Sequence, residues 1–228
     1  MSPLYLSQLI LTTRRRDVQY DLSDCCALHR RVLQGFPDDA AITSARQHFG
    51  VLYRLEIGSE RTCLLVQSQV EPDWSRLPTE YVRSPAAVKR VDGLYATLTE
   101  GRDLQFRLCA NPTRRIGANN LSQGEHWRGK RVEIVREEDQ IDWLRHKGQQ
   151  NGFALLPVRT KGKVVDVATR SLATHRGRHQ HNHTVTVKVV TFEGRLRITD
   201  HERFLNVLAQ GVGSGKAYGA GLLSIAPC

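Results

Sequence analysis

The first apolar cluster of the chain, Leu4, Leu6, Leu9, Ile10 and Leu11, ends at Thr12-Thr13 and a basic turn, Arg14-Arg15-Arg16. A short apolar run of this kind predicts a buried strand over residues 3–12. Residues 24–34 predict a helix, with Ser23 or Asp24 as N-cap and Gly35 and Pro37 as the stop. Val51–Glu56 and Arg61–Ser68 predict a hairpin across Ile57-Gly58-Ser59-Glu60. A short helical stretch is expected near Asp73–Leu77 and another strand over Val88–Leu98. Strand, helix, strand, strand, weak helix, strand is the ferredoxin-like order.

The second half offers a similar series. Leu104–Ala110 and Arg131–Val135 predict strands, and Glu137–Gln150 predicts a helix with acids in its first turn and bases in its last. Val164–Ala168, Thr184–Phe192 and Leu196–Thr199 predict strands, with a basic, histidine-rich loop before the second of them. Asp200–Gln210 predicts a helix and Leu222–Ala226 a closing strand. The expected fold is α+β, two tandem ferredoxin-like (RRM-like) domains over 1–100 and 101–228, divided near the Glu100-Gly101 turn.

Composition adds a partner. The 228 residues carry 33 Lys and Arg against 23 Asp and Glu, a formal net charge of +10. Such an excess points to a polyanion, most simply nucleic acid. Its distribution is more telling: no acid lies between Asp166 and Glu193, a window holding Arg170, Arg176, Arg178, Lys188 and four histidines. With aromatics at 7% and no RRM signature, RNA recognition is expected to use charge and backbone shape. The five cysteines form no C-x-x-C pair, so neither a disulfide framework nor a zinc ribbon is expected. Leu4–Leu11 is too short for a membrane span, and its arginines follow the apolar run, the wrong order for a signal peptide. A reducing cytosol is the expected compartment.

Three features could carry chemistry. His29 lies within the first helix, on the face of Cys26 and Leu33. It reads either as a histidine flanking the core or as a general acid or base for RNA cleavage, where the 2′-hydroxyl loses a proton and the 5′-oxygen gains one. Lys216 and the arginines near 170–178 are candidates to stabilise the transition state. The run Gly211-Val-Gly-Ser-Gly-Lys-Ala-Tyr-Gly-Ala-Gly221 is either a phosphate-facing loop or a turn before the last strand. It is not a P-loop: Gln210 stands where that motif needs Gly, and Ala217 where it needs Ser or Thr. The spacing of His175, His179, His181 and His183 could suit zinc, but its basic neighbours oppose a cation, so no metal site is expected. No paired carboxylates stand at a spacing for a two-metal nuclease.

Taken in order, Tyr5-Leu6-Ser7, Leu28-His29, Glu71-Pro72-Asp73-Trp74, Phe106-Arg-Leu-Cys-Ala-Asn-Pro112, Gly129-Lys-Arg-Val132, Trp143-Leu144, Phe192-Glu-Gly-Arg-Leu196 and Gly211–Ala217 through Ser224 form a specific set. On these residues the chain resembles the CRISPR-associated endoribonuclease CasE family of type I-E systems. The resemblance implies two ferredoxin-like domains and cleavage of CRISPR precursor RNA at the base of a repeat hairpin. It implies a reaction without metal or other cofactor that leaves a 2′,3′-cyclic phosphate. It further implies that the enzyme stays on the mature guide RNA and joins the other subunits of Cascade. The family's helix-one histidine falls on His29, its glycine-rich loop on Gly211–Gly221, and its basic hairpin around Arg170–Arg178. Arg30, Arg170, Arg176, Arg178, Gly213, Gly215 and Lys216 are the candidate RNA contacts. The family often has a tyrosine three residues before the histidine, and here that position is Cys26, a shorter and weaker donor. The rival readings are a catalytically inactive hairpin-binding subunit, a structural subunit of a ribonucleoprotein, and a nucleotide-binding enzyme. No nucleotide cofactor and no membrane partner are expected.

Overall fold

A computed structural model describes residues 2–38, 44–116, 130–158, 161–171, 174–178 and 183–228. The first unit contains β1 (Tyr5–Ile10), α1 (Arg16–Ser23), α2 (Cys25–Leu33), α3 (Ala45–His48), β2 (Leu52–Ile57), β3 (Thr62–Ser68) and β4 (Ala87–Arg90). Its strands form one antiparallel sheet in the order β2-β3-β1-β4. Leu9 and Leu11 face a core built with Leu28 and Val32 of α2, Leu64 and Val66 of β3, and Phe36, Phe49, Trp74 and Tyr81. Leu4 and Leu6, at the opposite parity, join the core of the second unit. The start of the chain thus contributes to both cores, which is why it reads as an apolar run rather than an alternation, although Gln8 of β1 is exposed.

The second unit contains α4 (Asp92–Ala96), β5 (Asp103–Ala110), β6 (Thr113–Arg115), β7 (Arg131–Glu133), α5 (Glu137–Gln150), β8 (Phe153–Leu155), β9 (Pro157–Val158) and β10 (Lys161–Val165). It continues through β11 (Val167–Ser171), β12 (His175–Arg178), β13 (Thr184–Val187), β14 (Val190–Ile198), α6 (His201–Gln210) and β15 (Leu223–Pro227). Its sheet has the order β11-β14-β5-β15, and β8 also pairs with β14. β11 takes Val190–Gly194 of that strand and β8 takes Leu196–Ile198. One strand position of the repeat is thus shared by two short strands, and the sheet order matches that of the first unit. The molecule is two ferredoxin-like units. Three two-stranded ribbons, β6–β7, β9–β10 and β12–β13, are inserted into the second.

Several expectations are corrected. The strand expected over Val88–Leu98 ends at Arg90, and α4 follows. Val91, Tyr95 and Leu98 are all in the second core. Their spacing of four and three is helical, and the apolar content masked that period. Thr184–Phe192 is not one strand: 184–187 pairs with β12, while 190 onward pairs with β5 and absorbs the strand expected at Leu196–Thr199. Val164–Ala168 likewise straddles two strands in different sheets. α1 gave no apolar stripe because one of its two buried residues is Asp21, which accepts from Arg31 (2.6 Å) and Tyr81 (2.9 Å).

Candidate active site

Asp24 sets both the start of α2 and the position of the β12–β13 ribbon. Its Oδ1 accepts from the N–H groups of Cys26 (2.8 Å) and Ala27 (2.9 Å), an N-cap. Its Oδ2 accepts from the N–H of Arg178 on β12 (3.1 Å). Burial works against the carboxylate, but these three N–H groups outweigh it and hold the carboxyl below its usual range. Gly177 is the close approach that makes this docking possible, since a Cβ there would lie 2.8 Å from Asp24 Oδ1 and from Cys26 Sγ.

Leu28 and Val32 turn into the core, which leaves His29 at the rim of α2, half-buried. The imidazole lies parallel to the Tyr53 ring, 6.3 Å between centroids and 18° between planes. Tyr218 meets it edge-on, also at 6.3 Å. Tyr53 is 1% exposed, and its hydroxyl donates to the Ala217 carbonyl at 2.7 Å. That bond ties β2 of the first unit to the glycine-rich loop. The loop is fastened from within: Val212 N–H donates to Gly221, Gly221 N–H to Cys109, and Tyr218 N–H to Gly215. Gly219, at φ +81°, takes a backbone conformation that side chains rarely adopt. A Cβ there would stand 3.3 Å from Tyr53 and 3.8 Å from His175. His175 donates from Nδ1 to the Tyr218 carbonyl (2.9 Å). His29 therefore sits where α2, β2, the loop and the ribbon converge.

The remaining sequence candidates divide around this point. Arg30 is exposed beside His29. Arg176 and Arg178 are exposed on one face of β12, on either side of the buried Gly177. Arg170 instead lines a separate 320 Å³ cleft with Arg54, Glu56, Arg107 and Glu193. Gly213 packs on Trp143, and Gly215 lies near Val187 of β13. Lys216 is half-buried, and its amine donates to the Gln210 carbonyl at the end of α6 (2.6 Å). Cys26 is 4% exposed, and burial, then Asp24, pushes its thiol up and keeps it neutral. Among the described residues no three His, Cys, Asp or Glu side chains gather as a metal site, while His179, His181 and Gly129 lie outside them. No described helix is long and apolar enough to cross a membrane.

Sequence reasoning missed Tyr53 and Tyr218 as the rings beside His29, and His175 as the partner of the Tyr218 carbonyl. The one local hint was an aromatic inside the glycine-rich run.

The model of the family described as CRISPR associated protein matches residues 4–227. The CRISPR-associated endoribonuclease Cse3 of Thermus thermophilus is 34% identical over 228 residues, covering 98% of this chain and 100% of that protein. The CRISPR system Cascade subunit CasE of Escherichia coli K12 is 32% identical over 136 residues, 57% of this chain and 61% of that one. Thermus thermophilus Cse3 bound to an RNA representing a pre-cleavage complex superposes with a TM-score of 0.78 at 32% identity, over 99% of this chain and 100% of that one.

Proposed function

From the premise that this chain belongs to the CRISPR-associated protein family, within its type I-E CasE endoribonucleases, we propose that it cuts CRISPR precursor RNA at the base of the repeat hairpin, with His29 as the central acid–base group. The observation that carries the reading is the convergence at His29: two aromatic walls, a glycine-rich loop, the adjacent exposed Arg30, and the docked basic ribbon that carries Arg176 and Arg178. The 2′-oxygen of the scissile nucleotide attacks the adjacent phosphorus and the bond to the 5′-oxygen breaks. The products are a 2′,3′-cyclic phosphate and a 5′-hydroxyl. His29 moves the protons, and the flanking arginines balance charge that builds on the phosphorane. The reaction needs no metal. The product hairpin stays bound and the protein acts as a Cascade subunit, the assembly that the Escherichia coli relative's name states for that protein.

Single-turnover cleavage of a cognate repeat hairpin in excess EDTA tests this. Cutting is expected, and a hairpin with 2′-deoxyribose at the scissile nucleotide should stay intact. Tight binding with no cutting would instead make the chain an inactive hairpin-binding subunit.

Two substitutions separate the neighbours of His29. Cys26→Ala should leave the rate nearly unchanged, because the thiol is buried and neutral. Tyr218→Phe keeps the edge-on ring but removes the half-exposed phenol, and should slow cleavage about tenfold, below the worth of a full acid–base group. A larger loss with Cys26→Ala than with Tyr218→Phe would reverse these assignments.

A further inference from the structure

The glycine-rich loop has a second face. While Tyr218 and Gly219 border His29, Gly211, Gly213 and Ser214 border a 430 Å³ cleft between the β6–β7 ribbon and α5. The cations lining it are Arg114, Arg115, Arg131 and Lys147, and among the described residues no Asp or Glu lines it. Arg115 and Arg131 stand directly opposite each other across the ribbon. Like charges so placed destabilise a strand pair. Beneath the loop, the Lys216 amine is held below its ordinary range, first by burial and then by Arg46 and Lys147. Among the described residues, none of these six cations makes an ion pair with a carboxylate, although arginines elsewhere in the molecule do so repeatedly.

Cations that repel one another and meet no acid, with Arg114, Arg115 and Arg131 exposed and Arg46, Lys147 and Lys216 half-buried, are a site prepared for an anion. We propose that this cleft is a second RNA contact, which holds the phosphodiester backbone of a single-stranded segment flanking the hairpin. A groove of cations tracking a backbone is how single strands are held without regard to sequence. The same loop borders both sites, through Tyr218 at His29 and through Gly211, Gly213 and Ser214 at the cleft. The assignment deepens the endoribonuclease reading and rests on it for the identity of the polymer.

The test uses the full chain and a triple variant, Arg114→Ala, Arg115→Ala and Arg131→Ala. Because the substitutions remove a repulsive pair, the melting temperature should not fall, which guards against misfolding. Three ligands are compared: an oligouridylate of about eight nucleotides, the hairpin alone, and the hairpin with its single-stranded flank. The variant should lose about tenfold or more in affinity for the oligouridylate and the flanked hairpin, and little for the bare hairpin. Its salt dependence on the flanked hairpin should also become shallower, by about 0.7 in the log–log slope for each phosphate released. Unchanged oligouridylate affinity overturns the proposal. An equal loss on the bare hairpin overturns it too, by assigning the cleft to the stem. An oligoglutamate peptide that displaces the oligouridylate and binds more tightly would give the cleft to an acidic protein partner. The oligouridylate result does not involve hairpin cleavage, so failure of the endoribonuclease reading would be seen separately.

Discussion

His29→Ala is expected to lower the single-turnover cleavage rate by about 10²–10⁴, the worth of one acid–base group, with hairpin affinity unchanged. The separation of rate from binding follows from where the ring lies. It is clamped between Tyr53 and Tyr218, while the exposed cations Arg30, Arg176 and Arg178 belong to other side chains that the substitution leaves in place. α2 should also survive, because its N-cap is Asp24 and its core contacts are Leu28 and Val32. The space vacated between the two rings suits free imidazole, which should restore part of the lost rate. A variant that cuts at the wild-type rate would remove His29 from the chemistry. A loss confined to hairpin affinity would make it a binding residue instead.

Arg54→Ala should cost about 3 kcal/mol of stability, read as a lower urea midpoint, the lower part of the range for breaking a buried pair. Arg54 is 3% exposed and joins the two units. Its Nη1 donates to the carbonyls of Arg107 and Leu222 (3.3 Å each), and its Nε and Nη2 donate to Glu56 Oε1 at 3.0 and 2.8 Å. Truncation strips two carbonyls and a half-buried carboxylate of that donor at once. Replacing both partners, Arg54→Met with Glu56→Leu, should recover the part of the loss due to the stranded carboxylate, while the two carbonyls still lack that donor. A cost below about 1 kcal/mol for the single change would place this pair with ordinary surface ion pairs.

The same pair sets a pH dependence. Burial opposes the Glu56 carboxylate, but Arg54 and then Arg107 outweigh it and hold its pKa below the usual value. A carboxyl depressed in the folded state contributes stability that is present above its unfolded pKa and lost as pH falls through the folded one. Acid unfolding should therefore be less steep in the Arg54→Met, Glu56→Leu variant than in the wild type.

Local signals were legible wherever the cause was local. α5 begins and ends where its acids and bases said it would, and Asp24 and Asp200 cap α2 and α6 through their own side chains. The β2–β3 hairpin formed about Gly58-Ser59. The order of elements yielded the two ferredoxin-like units. α4 was misread because three apolar residues at helical spacing followed a real strand without a break. Lys216 read as a cation for phosphate, and no spacing rule could add that its amine also donates to the Gln210 carbonyl at the end of α6.

The sequence by itself determined the elements with strong local signals, among them β1, α2, the β2–β3 hairpin, β5, α5 and α6, where the glycine-rich loop lies, and that the molecule carries excess positive charge. An apolar period states which face of an element is buried, and a cap or a glycine states where a backbone turns. Neither states the partner. Only the tertiary structure decided that Thr184–Val187 leaves the main sheet for a ribbon, that Gly177 of that ribbon docks on Cys26, and that Tyr53 and Tyr218 close around His29. It also set Arg115 against Arg131, a pairing fixed by strand register. Such contacts join residues far apart in the chain, and they are selected by the packing of whole units rather than by the preferences of any one segment.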